Sequence, residues 1–299
     1  MAVARLRAVG VVLAVLLAGA GVASAGGLRR LPGARRAEVV APRDPFATRA
    51  MRMFLAGRAG RVTAAVFDVA SGRTYLYRPD TPQLSASIAK VDILATLLAQ
   101  TQTDGGLSAG EQELATAMIE ASDNKDAQEL FEEVGQLPAL AALNRRFGMT
   151  QTTLNWAWGL SETTPRDQLR LLRYIVFPNR VLTTHSRKYL LSLMEHVENG
   201  QAWGISAGPG SGVTVALKNG WDPTDGIWQV NSIGMIRGDH RFYLLAVMTS
   251  QTEYAYGVAT IEGISMLVWR DLREHQRPRP PLGPTGTSGT TGTTPTPGS

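Results

Sequence analysis

The chain contains no cysteine. This excludes a disulfide framework, a lipid-bearing cysteine, a thiolate nucleophile and a thiolate metal site, and leaves packing as the source of stability. Histidine is almost as scarce. His185, His196, His240 and His275 show neither an HExxH pattern nor any close ligand spacing. A zinc hydrolase is therefore not expected, nor is any other metal or cofactor. Lysine is rarer than its charge class suggests: against 26 arginines stand only Lys90, Lys125, Lys188 and Lys218. In a chain that writes its surface cations as arginine, a retained lysine suits a task arginine cannot do, such as losing its proton at moderate pH.

A long membrane-spanning run is also missing. The apolar stretch 9–20, behind Arg5 and Arg7 and ahead of Ala23-Ser24-Ala25, is too short to span a bilayer comfortably and reads as an export leader over 1–25. An uncut membrane anchor is the other reading, and either one sends the folded part out of the cytoplasm. The formal net charge of +5 sits at the ends, in Arg29, Arg30, Arg35 and Arg36 of a basic linker over 26–43 and in Arg277 and Arg279. The slightly acidic centre carries no basic stripe, so nucleic acid is not an expected partner; the linker arginines could touch anionic wall polymer or lipid weakly, or simply be solvated. The Pro-, Gly- and Thr-rich end, 276–299, cannot bury enough apolar surface to order itself.

Residues 44–275 remain as one catalytic-sized unit, expected to be a monomer. A helix is expected over 45–56, then a hairpin over 62–77 turning at Ser71-Gly72. From about 85 to 205 helical windows such as 111–119 and 167–175 dominate, and β-branched runs return at 213–218, 230–236 and 242–249 before a closing helix over 254–274. The expected fold is α+β: a five-stranded antiparallel sheet, the terminal helices on one face, an inserted all-helical lobe on the other, and a cleft at the seam.

Three short motifs fall on this frame. Ser87-Ile-Ala-Lys90 opens a helix whose other charge is Asp92. The i,i+3 spacing puts hydroxyl and amine on one face, burial favours the neutral amine, and the Ser87 N–H at the helix start is free for an oxyanion. An N-cap serine with a snorkelling lysine has the same pattern. Ser122-Asp123-Asn124 lies in a turn between helices, where a hydroxyl can relay a proton and an amide can hold a carbonyl, or where both can simply cap. Lys218-Asn219-Gly220 closes the strand 213–218; the lysine suits a substrate carboxylate, Gly220 leaves room along the backbone, and the Trp221 N–H can be a second oxyanion donor, unless the segment is an ordinary hairpin turn.

Taken together and in this order, the motifs resemble the SxxK, SDN and K-T/S-G signature of the class A β-lactamases and penicillin-binding proteins. The likeness runs from about 62 to the closing helix and includes Thr163-Thr164-Pro165. It implies a β-lactamase/transpeptidase-like fold. It further implies an acyl-enzyme on Ser87, with Lys90 as base, Ser122 as proton shuttle, Asn124 at a substrate amide, and Lys218, Asn219, Gly220 and Trp221 around the substrate carboxylate and carbonyl. The implied substrate is a β-lactam or a related cell-wall amide.

Two positions depart from the family. Asn219 stands where it has a hydroxyl, and the segment 154–162 is too short for its E-x-x-x-N loop, leaving Glu162 as the nearest carboxylate for deacylation. Slow deacylation is therefore expected. A peptidase or esterase using the same machinery, and a catalytically silent wall-binding protein, are the competing readings.

Overall fold

The computed structural model describes residues 43–223 and 227–274. The expected leader and tail, and all of the basic linker except Arg43, lie outside the described residues. A turn of 3-10 helix, Pro45–Ala47, leads into α1 (Arg49–Ala56), where the Thr48 side chain accepts from Met51 N. Strands β1 (Arg61–Asp68) and β2 (Arg73–Tyr77) form the hairpin, and β3 (Gln83–Leu84) precedes a second 3-10 turn, Ala86–Ile88. Next come α2 (Ala89–Thr101), α3 (Ala109–Thr116), a π-helical turn at Ala117–Ala121, α4 (Asn124–Glu133) and α5 (Gln136–Phe147). The two-residue β4 (Glu162–Thr163) leads to α6 (Pro165–Val176) and α7 (Thr184–Glu195). The chain then runs through β5 (Thr214–Asp222), β6 (Trp228–Gly238), β7 (Arg241–Thr252) and α8 (Tyr254–Glu274).

Local signals account for where the helices begin. Ser108 and Glu111 form a reciprocal capping box on α3, and the side chains of Asp123, Thr164 and Thr183 accept from the third residue of α4, α6 and α7. Each such cap contributes about 0.5–2 kcal/mol. The Thr163-Thr164-Pro165 stretch is thus the start of α6, with proline in the first turn, where its missing N–H costs nothing.

All pairings in the main sheet are antiparallel, in the order β2-β1-β7-β6-β5. Central strand β7 is buried on both faces, and its period of two divides the core. Leu244, Ala246 and Met248 pack towards the helical lobe with Val91, Leu94 and Leu172, whereas Tyr243, Leu245 and Val247 pack under α1 and α8 with Met51, Ile261 and Val268. The expected layering therefore holds. One boundary is corrected: Lys218-Asn219-Gly220 lies inside β5, not at a strand end or in a hairpin turn, because pairing with β6 continues through Asn219↔Ser232 and Gly220↔Asn231 to Asp222. Being at the edge of the sheet, β5 turns its free side to the 3-10 turn that carries Ser87, and so positions the site.

Candidate active site

Helix α2 is apolar almost all round and buried from Ala89 to Leu98, which makes it an interior element. Lys90 in its first turn is wholly buried, while Ser87 just before it is partly exposed. Ala86, ahead of the serine, has φ +47°, a left-handed conformation that costs a non-glycine residue about 1–3 kcal/mol. Neighbours hold it there. Ser85 N donates to Ser161 O at 2.8 Å, and the buried Asn231 of β6 donates from Nδ2 to the carbonyls of Leu84 and Ser85, both at 2.9 Å. Nothing in its sequence context marks Asn231 as part of the site.

A second left-handed residue, Ser122 (φ +62°), follows the π-turn and brings both its carbonyl and its hydroxyl to Lys90. Lys90 Nζ lies 2.6 Å from Ser122 O, 2.7 Å from Asn124 Oδ1, 3.0 Å from Ser87 Oγ and 3.1 Å from Ser122 Oγ. The two shortest contacts are to oxygens that can only accept. A neutral amine with two N–H groups satisfies both and leaves its lone pair for the Ser87 hydroxyl. Asn124, expected at a substrate amide, is here also the clamp that orients Lys90.

Lys218 is likewise wholly buried; its Nζ donates to Ser122 Oγ at 2.9 Å and to Asn219 O at 3.2 Å. Among the described residues no ion pair involves either lysine. Burial lowers the Lys90 pKa to about 7, with Asp123 pulling the other way. Burial, and then the charge of Lys90, hold Lys218 well below the ordinary lysine range. One hydroxyl, Ser122 Oγ, thus bridges two amines whose environment disfavours charging both. That is an arrangement able to pass a proton along.

The other motif residues also have packing roles of their own. A Cβ on Gly220 would lie 2.8 Å from the backbone nitrogens of both Ser87 and Ile88 and 2.9 Å from Ser85 O. Gly220 is needed where the strand meets the nucleophile turn. Trp221 follows Gly220 directly on this strand. Asn219 is buried and donates to Gln201 O at 2.7 Å and Trp203 O at 3.0 Å. Both of its N–H donors tie down the 201–203 loop. Glu162 is exposed on β4, its backbone bridged to Thr153, and it is absent from the contacts of Ser87, Lys90 and Ser122. Instead, the ring of Trp158, which the motifs do not single out, stands 5.1 Å from Lys90 Nζ.

The profile of a β-lactamase enzyme family matches residues 106–272. Solved structures with the same fold include an ancestral (GNCA) class A β-lactamase: 23% identity, TM-score 0.65, covering 74% of this chain and 97% of that one. A mutant of PBP-A, solved as an acyl-enzyme complex with penicillin G, aligns at 22% identity and TM-score 0.66, covering 75% and 95%. A representative of class A β-lactamase from Bacteroides cellulosilyticus aligns at 19% identity and TM-score 0.67, covering 78% and 99%. No curated protein matches the chain.

Proposed function

The chain belongs to the β-lactamase enzyme family, and from that premise we propose that it is a serine hydrolase that opens β-lactams or related cell-wall amides through an acyl-enzyme on Ser87. One observation carries the reading: the unbroken chain of contacts Ser87 Oγ, Lys90 Nζ, Ser122 Oγ, Lys218 Nζ, every step between 2.9 and 3.1 Å. Ser87 Oγ attacks the carbonyl carbon while its proton passes to neutral Lys90. The oxyanion is held by the N–H groups of Ser87 and Trp221. When the tetrahedral intermediate collapses the C–N bond breaks, and the proton travels from Lys90 through the Ser122 hydroxyl to the leaving nitrogen. Lys218, buried and without an ion pair among the described residues, gives a substrate carboxylate its counter-charge. This intact relay argues against a silent wall-binding role.

Deacylation is the slow step, since among the described residues no carboxylate hydrogen-bonds Ser87 or Lys90, Asp123 acting on Lys90 through its charge alone. The protein acts outside the cytoplasm as a monomer, exported by the 1–25 segment and weakly held to the envelope by the linker arginines; fractionation, sizing and N-terminal sequencing of the mature protein test this. The central experiment is mass spectrometry after exposure to a penicillin. The whole drug mass is expected on Ser87 and on nothing in Ser87→Ala. An adduct that persists in the variant, or none in the native chain across a panel of lactams, overturns the assignment.

A further inference from the structure

Lys90 is wholly buried. Its amine has four polar contacts, from Ser87, Ser122 and Asn124, and the centroid of the Trp158 indole stands 5.1 Å from it. The ring is held at both ends. Its Nε1 donates to Gln128 Oε1 at 3.2 Å, and Gln128 Nε2 is in turn fixed to Glu132 Oε1 at 2.7 Å along α4. Its backbone turn, Trp158–Leu160, is closed by Leu160 N to Ala157 O at 2.7 Å. That turn rests on the nucleophile turn: a Cβ on Gly159 would lie 3.8 Å from Ala86 Cα, and Ser85 Oγ donates to the carbonyls of Trp158 and Gly159 at 3.4 Å. Trp156, two residues away on the same segment, is 64% exposed.

Hydrolysis of an acyl-Ser87 ester requires a water oxygen to bond the carbonyl carbon as the bond from that carbon to Ser87 Oγ breaks. One water proton must go to a base, and a proton must return to Ser87 Oγ. Lys90 is the base in contact with Ser87. We propose that Trp158 is a positioning residue that keeps hydrolytic water away from Lys90 and from the Ser87 ester, and so sets the lifetime of the acyl-enzyme. The inference rests on the acyl-enzyme reading above. It also explains why an apolar ring, rather than an acid, is latched there: the site is built to retain its acyl group. Truncating the indole to a methyl group leaves room for at least one water of about 30 Å³ beside the amine.

The test separates the two chemical steps in full-length protein exposed to a penicillin: the stopped-flow burst gives acylation, and decay of the Ser87 adduct by mass spectrometry gives deacylation. Trp158→Ala is expected to shorten the adduct lifetime by about tenfold or more, while acylation stays within about threefold. Trp158→Phe, which keeps the apolar cover, is expected to retain the native lifetime, and so is Trp156→Ala. Gln128→Leu, on the exposed side of α4, releases the latch without touching Lys90 and is expected to shorten the lifetime partway, which keeps the test open if Trp158→Ala folds poorly. If the native chain forms no adduct, the acyl-enzyme reading falls and this inference with it. If adducts form but their lifetimes in Trp158→Ala and Gln128→Leu equal the native one, or if Trp158→Phe shortens it as much as Trp158→Ala does, only the shielding role is overturned.

Discussion

Replacing Asp92 with asparagine is expected to make the protein most clearly more stable above neutral pH, with an advantage that shrinks as the pH falls and vanishes below about pH 4. Asp92 sits on α2, 5% exposed, and receives one hydrogen bond, from Asn144 Nδ2 to Oδ2 at 2.9 Å. Its Oδ1 and the Oδ1 of Asn144 are both buried without a partner. The pair has two spare acceptors and lacks a donor, which a proton on Asp92 would supply. Burial accordingly raises the carboxyl pKa to about 7 from an ordinary 3.8, with the Asn144 bond opposing.

A shift of about 3 units at 1.36 kcal/mol each corresponds to about 4 kcal/mol. Because the folded pKa is raised, the unfolded chain releases this proton first. Stability is therefore full below about pH 4, falls as pH rises from there to about 7, and stays reduced above. Of a total that is typically 5–15 kcal/mol, this is a large part. An asparagine keeps the shape, accepts from Asn144 and donates back, without titrating. Urea unfolding of the native chain and Asp92→Asn at pH 5, 6, 7 and 8.5 should show a gap that opens with pH to about 2–4 kcal/mol in favour of the variant. A gap independent of pH, or a variant less stable at every pH, would refute the reasoning.

Acylation should rise with pH through an apparent pKa near 7, the value at which Lys90 becomes neutral, and fall about tenfold per unit below it; pH-dependent burst rates check this. Lys90→Arg, which cannot give up its proton, should acylate about 10²-fold or more slowly, and near-native acylation would remove Lys90 as the base. Gly220→Ala drives a methyl group against the backbone of Ser85, Ser87 and Ile88. It should cost about 1–3 kcal/mol in unfolding and, by displacing the nucleophile turn, about 10² in acylation rate.

The sequence carries the layered fold because its signals are local. Residues 242–249 are apolar at both parities, as befits a strand covered on two sides. The grouping of Ser87, Lys90, Ser122 and Lys218 was legible only through the resemblance of the three motifs, in their order, to the family signature, since each motif alone also reads as an ordinary cap or turn. What could not be read depends on pairs distant in the chain. Asn219 and Gly220 have low strand propensity, yet the register with Ser232 and Asn231 keeps β5 extended through them. Asn231 reaches Ser85 across 146 positions, Asn144 reaches Asp92 across 52, and Trp158 meets Lys90 through a loop with no periodic pattern.

Strand β1 is flanked by β2, next to it in the sequence, and by β7, from the far end of the fold; the Thr63 hydroxyl donates to Met248 O across 185 positions. As the chain is synthesised, the β1–β2 hairpin must therefore wait for nearly all the remaining residues before its inner edge is covered. Closing so long a loop is slow, and until then the hairpin presents unpaired backbone to other chains. Completion of the sheet is consequently a late event, since β7 is the last strand to be made. A chain shortened before Arg241 lacks β7 altogether, and should be recovered as aggregate or degraded rather than as a partly active fragment.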